Sequence, residues 1–151
     1  MKIEVSKIPD SGMILEEDED PEIMGATEDH VIYRQPIHVR VSVNLVGHTL
    51  VVQGTLTTAA IFECNRCLKK FEYRLRVDDF VFSRQARGDE TVDLTENIRE
   101  DIILALPMKR LCANECKGLC PVCGRDLNAG ACSCKPPREQ HLFSGLDGLG
   151  L

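Results

Sequence analysis

Eight cysteines occur in this chain and none stands alone: Cys64 with Cys67, Cys112 with Cys116, Cys120 with Cys123, and Cys132 with Cys134 form four close pairs. Six of them crowd into the segment from Cys112 to Cys134, which has few other side chains able to build a core. Such a segment cannot fold by burial alone, so something other than apolar packing must staple it. Which staple depends on the compartment. Met1 to Pro21 contains no apolar run behind a basic end of the kind that marks a secretory signal, and no stretch approaches the ~20 apolar residues that span a bilayer. The expectation is a reducing, cytoplasmic setting without membrane insertion, where clustered cysteines serve as metal ligands or reactive thiols rather than disulfides.

Spacing favours metal. A two-residue gap lets both thiolates of a tight turn face one ion, and Cys120-Pro-Val-Cys123-Gly124 adds a glycine that tolerates the positive φ such a knuckle needs. Four pairs make two tetrahedral zinc sites of four thiolates arithmetically possible. The preferred arrangement groups Cys120, Cys123, Cys132 and Cys134, because the residues between the pairs are long enough for a returning hairpin. Cys112 and Cys116 then meet Cys64 and Cys67, a site that would tie the cysteine-rich segment to the rest of the chain. The alternative is a single zinc drawn from the six C-terminal thiols, with Cys64 and Cys67 left free or as a redox couple whose neighbours Arg66, Lys69 and Lys70 lower a thiol pKa. Four thiolates leave no position for a water, so the metal reads as structural.

No other constellation carries chemistry. His30, His38, His48 and His141 are scattered, with His141 the one substitute ligand, and the Gly-rich C-terminal stretch lacks the Lys-Ser/Thr of a phosphate loop. The chain is expected not to be an enzyme and to have no small-molecule substrate.

Pattern assigns the fold. Lys2 to Ile8 alternates as a first strand, and Asp10 to Glu28 reads as an exposed acidic loop. Ile37, Val39, Val41, Val43 and Leu45 alternate with polar residues as a half-buried strand; Thr49 to Thr57, Thr58 to Glu63 and Phe71 to Phe82 continue an antiparallel meander. Residues 93–106 change to helical period, with Asp93 and Glu96 as a capping box and Pro107 as the stop. The expected architecture is mainly β (α+β): an antiparallel β-meander with one helix over residues 1–106, a Cys-rich zinc module over 107–135, and a tail over 136–151.

The net charge of −6 conceals a division. Residues 1–30 hold two lysines against ten acids, whereas residues 61–87 and 107–140 each carry an excess of three positive charges, and every cysteine lies in these basic parts.

Glu63-Cys-Asn-Arg-Cys-Leu-Lys-Lys-Phe71, then the helix ending in Pro107, then Leu111-Cys-Ala-Asn-Glu-Cys-Lys-Gly-Leu-Cys-Pro-Val-Cys-Gly-Arg-Asp-Leu-Asn128 resemble the YceD family, the large ribosomal RNA subunit accumulation proteins of bacteria and plastids. The resemblance runs from about Ile37 to Cys134. It implies a non-enzymatic role in accumulating or processing large-subunit (23S-type) ribosomal RNA, and it brings no residue-level RNA contact with it. The residues themselves make Arg66, Lys69, Lys70, Arg74, Lys109, Arg110, Lys117 and Arg125 the candidate phosphate contacts, joined by Arg76, Lys135 and Arg138, with Phe71 and Tyr73 as a stacking face. The expected partner is ribosomal RNA or a pre-ribosomal particle, with a basic ribosomal protein as a partner for the acids of Glu16 to Glu22. Competing classes are a general zinc-ribbon interaction module and a Cys-x-x-Cys redox protein.

Overall fold

The computed structural model describes residues 1–25 and 31–135. Strands β1 (Lys2–Glu4), β2 (Met13–Glu19), β3 (Ile32–Tyr33), β4 (Ile37–Val46), β5 (Thr49–Glu63), β6 (Lys70–Gln85) and β7 (Thr91–Asp93) precede a single described α-helix, α1 (Thr95–Leu104). All pairings are antiparallel. β1 pairs with β7, while β2, β4, β5 and β6 lie side by side in one sheet, with β3 pairing to β5 beyond the start of β4.

The alternation in the sequence explains which face is buried. Ile37, Val39, Val41 and Val43 of β4 point inward with Leu50, Val52, Leu56, Ala60 and Phe62 of β5. Helix α1 covers this face with Ile98 and Ile102, and Met1, Ile3, Val5 and Val92 close the same core. Asp93 accepts from the Thr95 amide at 2.9 Å and its hydroxyl at 2.6 Å, whereas Glu96 turns to Arg99 rather than completing a capping box. The mainly β expectation with one helix therefore holds for the described residues.

The expected first strand over Lys2 to Ile8 ends at Glu4, where Val5–Lys7 form a 3-10 turn, and three further local expectations change. The acidic stretch is not a loop throughout: residues 13–19 form β2, because Met13 and Leu15 pack on the core while Glu16 and Asp18 face basic residues of β4. Asp18 accepts from His38 at 2.8 Å and Glu16 lies 3.2 Å from the same ring; the hydrogen bond to Asp18 raises the His38 pKa. Secondly, Thr49 to Glu63 is one strand rather than two. The Thr58 hydroxyl, 3.2 Å from the Pro36 carbonyl, occupies the place where β3 ends and β4 begins along its edge. Thirdly, β6 does not alternate uniformly. Gly54 pairs with Phe80 but Leu56 pairs with Val77, so an extra residue at Asp78–Asp79 forms a bulge and keeps both Val77 and Phe80 inward. The expected tail over 136–151, with Arg138 and His141, lies outside the described residues, as does His30.

Candidate metal centres and basic surface

The β5–β6 connection is a metal-type knuckle. Leu68 N donates to Cys64 O at 2.9 Å, and Cys64 N donates to Lys69 O at 2.9 Å. The second knuckle repeats both bonds: Gly124 N to Cys120 O at 2.9 Å and Cys120 N to Arg125 O at 2.8 Å. Both turns need a left-handed residue after the second cysteine, with φ +71° at Gly124 and +60° at Leu68. For glycine this costs nothing, but for leucine it costs roughly 1–2 kcal/mol.

The fold gathers the eight thiols into two tetrads, Cys64/Cys67/Cys112/Cys116 and Cys120/Cys123/Cys132/Cys134, with all sulfurs of a tetrad within 4.8 Å of one another. All eight are free cysteines. In the first tetrad, Cys64 Sγ lies 3.8 Å from Cys116 Sγ, and Cys67 Sγ lies 3.5 Å from Cys112 Sγ. A tetrahedron with metal–sulfur bonds of ~2.3 Å has edges of about 3.8 Å, so these thiols fit a four-coordinate soft cation. Electrostatics shows the same need. Burial opposes ionisation of Cys64, yet hydrogen bonds from backbone amides outweigh it and bring the thiol down to about 6. Amides of Cys123 and Val122 bring Cys120 to about 6 in the same way. Hydrogen bonding to Cys67 pushes Cys112 up to about 12, and bonding to Cys123 does the same to Cys134. Four adjacent thiols can all ionise only when a cation neutralises them.

The tetrads differ in setting. Cys64, Cys67 and Cys116 are buried with Phe71, Leu111 and Leu119 packed around them, whereas Cys123 is exposed and Cys132 and Cys134 are half-buried. The first tetrad joins the tip of the β5–β6 hairpin to the segment after α1, and the seam is reinforced. Arg66 Nη1 donates to Cys116 O at 2.8 Å, Asn65 N to Arg110 O at 2.8 Å, and Leu119 N to Arg66 O at 3.1 Å. Lys69 Nζ pairs with Asp126 at 2.6 Å. Asn128 accepts from Lys117 N at 2.8 Å and directs its Nδ2 toward Cys116 Sγ at 3.5 Å. Asp126 and Asn128 are not among the site residues expected from the sequence, although the Asp-x-Asn pattern after the knuckle is the signal that could have found them.

Of the eight candidate phosphate contacts, Arg66 and Lys69 hold the seam, and the Arg110 guanidinium sits 5.4 Å over the Phe62 ring. Lys70, Arg74, Lys109, Lys117 and Arg125 are exposed. Arg76 pairs with Asp78 at 2.6 Å. Tyr73 stacks on Phe62 at 5.3 Å and Phe71 meets the same ring edge-on; Phe71 is half-buried, whereas Tyr73 stays exposed. No described helix is long and apolar enough to cross a membrane.

Comparison with known proteins matches residues 82–150 to the family described as large ribosomal RNA subunit accumulation protein YceD. An uncharacterised protein of Mycobacterium leprae is 30% identical over 107 residues, 61% of this chain and 49% of that protein. One from Mycobacterium tuberculosis is 32% identical over 100 residues, 56% of this chain and 48% of that protein. A chloroplastic protein of Zea mays, named large ribosomal RNA subunit accumulation protein YCED homolog 1, is 40% identical over 63 residues, 41% of this chain and 21% of that protein. The chain thus spans about half the length of the mycobacterial relatives it matches. No solved structure matches it.

Proposed function

We propose, from the premise that residues 82–150 are a YceD-family segment, that this protein is a non-enzymatic, cytoplasmic factor of large-subunit biogenesis that binds ribosomal RNA within a pre-ribosomal particle. Two structural zinc ions, one per tetrad, hold the RNA-facing surface in place. The observation that carries the reading is the pair of tetrads: cysteines of the family segment share one of them with Cys64 and Cys67 of the sheet, and exposed basic residues surround both. When bound, zinc supplies charge neutralisation and cross-linking. The chain's own residues supply the phosphate contacts, chiefly Lys70, Arg74, Lys109, Lys117 and Arg125. Placement of Cys64 and Cys67 in a strand hairpin, each beside two further thiols, weighs against a redox couple, which normally opens a helix.

In-cell crosslinking followed by RNA sequencing tests this function: precursors of the large-subunit RNA should dominate the recovered RNA, and their absence would overturn the reading. Replacing Lys117 and Arg125 by Gln should weaken RNA affinity regardless of sequence and flatten the salt dependence by about 0.7 per lost contact to a single strand. An unchanged slope would remove those two residues from the interface.

The unequal burial of the tetrads leads to a second expectation. Titration with a chelator should extract zinc in two phases, the faster from the Cys120 tetrad with its exposed Cys123, the slower from the Cys64 tetrad. Release of both ions at one rate, followed by absorbance of a metal-sensitive dye, would contradict this order.

A further inference from the structure

The two knuckles share their hydrogen bonds yet differ at the residue each must place in left-handed conformation. Gly124 meets the demand without strain, whereas the first knuckle holds Leu68 at φ +60°. Leu68 gains little burial in return: 57% of it is exposed. Val122, at the tip of the second knuckle, is exposed to the same 57%. A leucine held in left-handed conformation is strained, so the fold alone does not account for leucine at this position.

The surroundings define what it meets. Residues 64–70 and 116–128 contain the cations Arg66, Lys69, Lys70, Lys117 and Arg125, and the one acid there, Asp126, is taken up by Lys69. That ion pair sets the residue after Leu68 against the residue after Arg125, so the ends of both knuckles adjoin. A basic protein would be repelled here, and an acidic partner with apolar planes would be attracted. Single-stranded RNA has both features, since its unpaired bases expose faces that a duplex keeps stacked.

We infer that Leu68 is a base-contacting residue, an aliphatic wedge set against unpaired bases of RNA while Lys70 and Arg125 hold the flanking phosphates. This rests on the proposed role in binding ribosomal RNA and identifies the part of the surface that touches bases. Leucine is kept at a position suited to glycine because the RNA contact offsets its strain.

The decisive variant is Leu68→Gly in the full chain, since Gly124 shows that glycine fits the turn. It is expected to retain both zinc ions and to unfold about 3 °C above the wild type. Its affinity for a labelled single-stranded oligouridine should nevertheless fall severalfold, by less than the removal of an aromatic stacking platform would cost. Affinity for an RNA duplex of equal length, bound through phosphates alone, should stay unchanged. Equal oligouridine affinity of Leu68→Gly and wild type would overturn the inference while leaving the proposed function intact. A wild type that binds neither RNA would remove both. Loss from Leu68→Gly of a ribosomal protein that the wild type retains after ribonuclease treatment would overturn the RNA assignment in favour of a protein contact.

Discussion

Cys64→Ser is expected to reduce bound zinc from two ions per chain to one and to loosen the cysteine module from the sheet. The reason is topological. Cys64 and Cys67 lie on the β5–β6 hairpin and Cys112 and Cys116 lie beyond α1, so an ion held by all four would close a long-range contact. A structural zinc site contributes on the order of 10 kcal/mol at neutral pH, far more than the hydrogen bonds at the seam, each worth about 1 kcal/mol net. The sheet has its own core from β4, β5, β6 and α1, so its far-ultraviolet dichroism should persist while the segment after Pro107 becomes sensitive to protease. Cys120→Ser should also remove one zinc, but it should disorder the region around Cys120 to Cys134 with the hairpin clamp still closed. Elemental analysis combined with limited proteolysis separates the two variants. Retention of two zinc ions by Cys64→Ser would refute the bridging site.

Gly54→Ala is expected to destabilise the sheet by about 3 kcal/mol or more. A Cβ at this position would lie 2.1 Å from the Arg40 carbonyl oxygen and 2.6 Å from Val41 Cα, both backbone atoms of the paired strand β4. No side-chain rotation relieves such contacts; β4 and β5 would have to separate where the adjacent bulge already bends their partner β6. Gly88→Ala is the matching control, because nothing lies within 4 Å of a Cβ there. Urea unfolding should show a large loss for the first and little change for the second. A Gly54→Ala midpoint equal to the wild type would show that the strands yield more easily than their backbone contact implies.

Spacing favoured the grouping of Cys120, Cys123, Cys132 and Cys134, which the fold brings together, because the residues between the two pairs suffice for the chain to return; a single zinc drawn from the six C-terminal thiols fitted the same spacing. The joining of Cys64 and Cys67 to Cys112 and Cys116 was legible only as one arrangement among alternatives. It spans β6, β7 and α1, and the packing of α1 on β6 together with the seam hydrogen bonds of Asn65 and Arg66 brings its halves together. The basic residues were visible individually, but not their employment. Arg66 and Lys69 serve as internal fasteners because the module docks beside them, and a charge count cannot tell a fastener from a free contact. The acidic stretch departs from the expected loop for a related reason. Its acids marked it as solvated, yet an edge strand can be acidic when the neighbouring strand offers His38 and Arg40 across the pairing.

By itself, the sequence determined the alternating strands, the helix with its proline stop and the four thiol pairs, since each depends on residues a few positions apart and on fixed backbone periods. Tertiary structure decided the parity change at Asp78–Asp79, the seam between hairpin and module, and the exposure of Leu68. These depend on which distant surfaces meet, and a local pattern is compatible with several such meetings until the whole core is packed.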